Sequence, residues 1–104
     1  VSKLIEVSNE KILRGLVLEI CDQAGLTGAG MELIQAALKA SGFYAAREDI
    51  LNACKYLEGK ELIKLQQINN TRLKIFRNIA HLTPKGKDAL DGTIVIEGIE
   101  LAGD

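Results

Sequence analysis

Between Ala45 and Leu90 the chain carries three unlike segments in a fixed order, and that order most restricts what it can fold into. A stretch with apolar residues at helical spacing closes with Leu57-Glu58-Gly59-Lys60-Glu61-Leu62-Ile63. Two β-prone stretches follow, joined by a polar and basic turn, and then His81-Leu82-Thr83-Pro84-Lys85-Gly86-Lys87-Asp88-Ala89-Leu90 ends the run. A helix, a hairpin and a short helix in direct succession form one supersecondary unit, in which the hairpin lies beside the helix. The chain has 104 residues, 47% of them apolar. That is enough for one core, so the expectation is a single domain over 1–104, with a core module at 8–90 and a tail at 91–104.

Ahead of this run, Ser8 or Asn9 is placed to cap a helix reaching about Ala24, with Ile12, Leu13, Leu16, Val17 and Ile20 on one face. Gly15 in its middle costs about 1 kcal/mol against Ala, which points to the close approach of another backbone. The opening residues 1–7, apolar at Leu4, Ile5 and Val7, fit a strand, a helical turn or a frayed arm, and Val1 leaves open a processed, cut or internal start. Glycines at 25, 28 and 30 break the chain before Met31, Ile34, Ala37 and Leu38 repeat at helical spacing, and Gly42 supplies the stop. A dinucleotide-binding glycine loop needs a strand before it and its own glycine order; here a helix precedes, so the glycines are an inter-helix turn.

The third helix is expected from about Ala45 to Glu58. At about 100° per residue, Ile50, Ala53, Cys54 and Leu57 share one face, and Glu48, Asn52, Lys55 and Tyr56 lie opposite. Leu62 to Ile68 and Leu73 to Leu82 form the hairpin, with Asn70 near its tip and Arg72 and Lys74 beside it. Alternation changes phase around Phe76 and Arg77, as a bulge would cause. Pro84 then starts a short helix, and Thr93 to Leu101 is apolar and β-prone, expected to pair with its own sheet or with another copy.

Net charge is only −1, but it is segregated. From Lys60 to Lys87 the net is +6, with Glu61 as the single acid, whereas the residues after Lys87 carry −5 and those before Lys60 carry −2. The basic segment coincides with the hairpin, which favours phosphate contact over a merely solvated face.

Two of the quoted motifs carry a resemblance. Leu57 to Ile63 resembles the end of the recognition helix in MarR, PadR and ArsR regulators, and Leu82-Thr83-Pro84-Lys85-Gly86 resembles the segment that follows the wing in those proteins. The compact architecture with a short tail is also similar to small winged-helix proteins of Mu-like prophages. The resemblance spans roughly residues 45–90. It implies an α+β winged helix-turn-helix: a three-helix core, a β-hairpin wing and an extended C-terminal tail. In such a module the third helix faces a DNA groove and the wing lies along phosphates. The chain departs from the family pattern at Tyr44-Ala45-Ala46, where a Ser or Thr cap is common, at Glu61, where Gly is usual, and in the acidic residues on the groove face.

On this reading Asn52 and Lys55 suit base edges and phosphates, and Tyr56 can donate to a phosphate. Arg47, near the positive end of the helix, reaches a backbone phosphate or forms a surface ion pair with Asp49 or Glu48. Lys64, Arg72, Lys74 and Arg77 are the wing's phosphate contacts. The expected partner is double-stranded DNA, and the expected assembly a homodimer.

Other chemistry finds little support. The single histidine, His81, sits in a strand without a paired nucleophile, so no enzyme is expected. Cys21 and Cys54 fall on apolar helix faces and suit buried thiols; two cysteines and one histidine make no convincing metal set, and no cofactor is expected. The sequon at Asn69-Asn70-Thr71 means little without a secretory signal, and the absence of a long apolar run or a signal-like start gives a cytoplasmic expectation without membrane contact. Function is therefore expected to be DNA binding, by a small transcriptional regulator or a phage-encoded DNA-associated protein. The alternative is a winged helix used for protein contact alone.

Overall fold

The computed structural model describes the backbone of residues 2–101 and the side chains of residues 9–101. Its first element, α1, spans Ser2–Ala24. It begins well before the expected cap, so Ser8 and Asn9 lie inside the helix; the side chains of Leu4, Ile5 and Val7 lie outside the described residues. Leu13, Val17, Leu18 and Cys21 are its buried stripe, with Leu16 and Ile20 packed at the margin. A single 3-10 turn at Gly25–Thr27 leads into β1, Ala29–Gly30, and then α2, Met31–Ala40.

The two inner helices stop in the same way with different residues. After α2, the Gly42 N–H donates to Lys39 (3.0 Å) and the Phe43 N–H to Leu38 (2.9 Å), with Gly42 at φ 81°. After α3, Arg47–Gly59, the Glu61 N–H donates to Glu58 (2.9 Å) and the Leu62 N–H to Leu57 (2.9 Å). This is the same paired closure of helix carbonyls, and it requires a left-handed residue. Here that residue is Glu61, at φ 63°, in the position where the resemblance expects glycine.

The sheet has three antiparallel strands in the order β1-β3-β2, where β2 is Ile63–Asn70 and β3 is Ile75–Leu82. Pairing runs unbroken from Ile63 with Leu82 to Asn70 with Ile75, so no bulge interrupts β3 at Phe76. The phase change in hydrophobicity has another cause: beyond Gln66 and Arg77 the hairpin has left the core and no side chain on either face is buried. β1 pairs only with Ala80 and Ile79, which leaves the outer edge of β3 from Ile75 to Asn78 without a neighbouring strand. Thr83 then accepts from the Gly86 N–H (3.0 Å) and donates to the Glu61 carbonyl (2.7 Å), capping α4, Pro84–Leu90, and tying it to the end of α3.

One core joins these elements, centred on Leu18, Ile34, Leu38, Ile50, Leu57 and Leu62, all fully buried. The tail does not become a strand. Ile94, Ile96, Ile99 and Leu101 pack against this same core, and the Glu100 N–H donates to the Lys11 carbonyl (3.1 Å). A side chain at Gly15 would run into the Glu100 carbonyl, which accounts for glycine in mid-helix.

Candidate nucleic-acid interface

The third helix exposes a ridge whose centre is Glu48, Asn52 and Lys55, while Ile50, Ala53, Cys54 and Leu57 are buried as the periodicity indicates. Most of its acidic side chains have local work. Asp49 accepts from the Ala46 N–H (3.3 Å), which partly replaces the missing polar cap, and carboxylates in a first turn complement the helix dipole. Glu58 accepts from the Leu65 N–H (2.8 Å) and so pins the start of the wing to the helix.

Arg47, the first residue of α3, is brought together with Lys74 and Arg77 of the wing. The three line a groove of about 510 Å³ between the open edge of β3 and the first turn of α2, and among the described residues Glu32 is the only acid in its lining. Among the described residues, no ion pair engages Arg47, Lys55, Lys64, Arg72, Lys74 or Arg77. The ion pairs lie elsewhere, at Arg14 with Glu10 and at Lys87 with Asp22 and Asp91. Lys87 thus belongs to the basic segment in sequence but not to its free charge, and its ammonium pKa is raised by the hydrogen bond to Asp22. Lys64 and Arg72 are exposed along the ribbon and at its tip, outside the groove.

Two of the expected residues lie apart from this groove. Tyr56 is half-buried and points away from Arg47: its ring carries the Arg14 guanidinium, and its hydroxyl donates to the Glu97 carbonyl (3.3 Å). It is occupied by the tail and does not line the groove of Arg47, Lys74 and Arg77. Asn52, although exposed, lines a separate hollow of about 440 Å³ with Asn9, Glu10, Arg14 and Tyr44. Five residues of helix turn it about 140° from Arg47, so the two do not share a groove.

The wall that α2 contributes to the basic groove, with Glu32 and Leu33, was not visible in sequence. It depends on the two-residue pairing of Ala29 and Gly30 with β3, and neither residue carries a strand signature. His81 is a strand residue with its Nε2 beside the Gln66 Oε1 (2.9 Å), and its ring packs on Gly28. Cys21 and Cys54 are fully buried free thiols, each with a pKa pushed up to about 12 by burial, so thiolate chemistry is suppressed at neutral pH.

No protein-family model matches the chain, and no curated protein matches it. Among solved structures, it is similar to the X-ray structure of a PadR-like transcription factor from Bacteroides fragilis, with a TM-score of 0.72 over 88% of this chain and 84% of that one, at 15% identity. The fold is a winged helix-turn-helix. In this winged helix α3 is the second helix of the helix-turn-helix and the β2-β3 hairpin is the wing, with β1 closing the sheet between α1 and α2. Among the described residues, no helix is long and apolar enough to cross a membrane.

Proposed function

We propose that this winged helix binds duplex DNA as a small transcriptional regulator, with the ridge of α3 in the major groove and the wing against the backbone. The observation that carries this reading is the convergence of Arg47, Lys74 and Arg77 on one groove, without ion-pair partners among the described residues. Cations left unneutralised on one face release counterions when they meet phosphates, which is the main source of DNA affinity. The PadR-like transcription factor with the same fold supports the reading, and a phage-encoded DNA-associated protein is a variant of it. The protein would act in the cytoplasm. A homodimer on two half-sites belongs to the same proposal, with a seam other than the tail, whose apolar residues pack on the chain's own core.

The competing use, protein contact alone, draws on Leu33 (51% exposed) and Phe76 (62% exposed) beside the same groove. Titration of labelled duplex over a range of salt separates the two. DNA binding predicts a linear fall of log affinity with log salt, and replacing Arg47, Lys74 or Arg77 with Ala lowers that slope by about 0.9 per lost phosphate contact. Absence of duplex binding at low salt would refute the proposal.

A further inference from the structure

The outer half of the wing has a feature that phosphate contact does not explain. From Gln66 to Arg77 no residue is buried on either face of the ribbon. This outer part of the ribbon is about 16 Å long, at roughly 3.3 Å per residue, and its β3 side borders the groove shared with α2 and Arg47. At its apex Leu73 is 65% exposed between Arg72 and Lys74, and Ile75 and Phe76 follow it, exposed on opposite faces of β3. Single exposed leucines are ordinary on protein surfaces, but three apolar side chains within four residues at the far end of a ribbon are not.

The apex also has a defined shape. The Asn70 Oδ1 accepts from the Leu73 N–H (3.0 Å), the Lys74 N–H donates to the Thr71 carbonyl (3.4 Å), and Lys74 sits at φ 55°. Holding a residue with a side chain in the left-handed region costs about 1 kcal/mol, so the turn keeps its form at a cost to stability. Leu73 is presented outward by that turn and flanked by two cations.

Groove dimensions decide where such a tip can go. A major groove about 12 Å wide admits a helix, whereas an undeformed minor groove about 6 Å wide takes the side chains at the end of a ribbon more readily than the ribbon itself. With α3 in the major groove, the tip meets the neighbouring minor groove, where Arg72 and Lys74 face phosphates and Leu73 has no polar partner to offer. An apolar side chain in that position gains by entering between two base pairs, as minor-groove wedges do.

We infer that Leu73 is a wedge that inserts at a base step of the minor groove and bends the duplex, with Arg72 and Lys74 anchoring it on either side. This rests on the DNA-binding reading above. Pyrimidine–purine steps, TpA above all, unstack most easily and are the preferred sites.

The test uses the full chain and a short duplex carrying 2-aminopurine at one central TpA step and a donor–acceptor pair at its ends. Binding of the unaltered protein should raise 2-aminopurine fluorescence and shorten the end-to-end distance. Leu73→Ala should lose both signals while keeping its salt slope, Leu73→Phe should retain both, and Arg72→Ala should lower the salt slope by about one contact while the bend persists. If Leu73→Ala binds and bends the duplex like the unaltered chain, the wedge is overturned and DNA binding stands. If the unaltered chain binds no duplex, both readings fall.

Discussion

The guanidinium of Arg14 lies 3.6 Å from the centroid of the Tyr56 ring, and together the two residues clasp the tail. Arg14 donates to the Gly98 carbonyl (3.1 Å) and Tyr56 to the Glu97 carbonyl (3.3 Å), so α1 and α3 each hold one backbone oxygen of a segment that has no strand to join. Tyr56→Phe removes only the hydroxyl bond and should cost about 0.5–1.5 kcal/mol in urea unfolding. Tyr56→Ala also removes the cation–π contact and should cost about 1–3 kcal/mol. Neither should change the salt slope of duplex binding; a lower slope in Tyr56→Phe would return this residue to the DNA face.

Gly15 offers a sharper probe of the same contact. In the complete chain, Gly15→Ala should destabilise and make the tail easier for a protease to cut, because the methyl group and the Glu100 carbonyl compete for one place. In a chain shortened after Asp91, the same change should stabilise by about 1 kcal/mol through helix propensity alone. A reversal of sign between the two backgrounds, measured by chemical unfolding, is the expected outcome.

Glu61 closes α3 in a conformation that favours glycine. Glu61→Gly should therefore raise stability by about 1 kcal/mol, whereas Gly42→Ala, the matching position after α2, should lower it by a similar amount. The Thr83 hydroxyl binds the Glu61 backbone carbonyl, so the link to α4 survives the substitution. Paired melting curves for the two variants would show opposite shifts.

Alkaline pH should weaken the fold through the two thiols. Their folded pKa values, about 12, lie above the ordinary value of 9.0, so the unfolded chain releases its protons first as pH rises. The stabilising contribution is complete below about pH 9 and is lost progressively between pH 9 and 12. Replacing Cys54 with Ala should flatten the fall of stability over that interval. A slope equal to that of the unaltered chain would show that other groups govern it.

The helices and the wing were legible because their signals are local. Ile50, Ala53, Cys54 and Leu57 repeat at helical spacing and are all buried, and Pro84 starts α4 as expected of a proline at the first helical position. Gly15 announced a backbone contact without naming its partner, since Glu100 lies far away in sequence. The position of the tail was hidden for the same reason: β-branched residues in a row suit a strand, but Ile94, Ile96 and Ile99 found apolar cover on the core before any strand edge. Within the site, the cationic residues were visible and their grouping was not. Arg47 joins Lys74 and Arg77 only because β1 draws the start of α2 beside β3, whereas Tyr56 is taken by a tail that no helical wheel contains.

The short reach of β1 has a further consequence for how these molecules behave in a crowd. A bare strand edge invites another copy to add its own edge, and natural sheets often guard against this with charge. Here Lys74 precedes the bare stretch and Arg77 lies within it, so two copies approaching edge to edge bring like charges together. The cations proposed to meet phosphate would therefore also oppose edge-to-edge association. A variant that neutralises them to abolish DNA binding removes that repulsion as well, and its loss of affinity reflects the duplex only while the sample stays monodisperse.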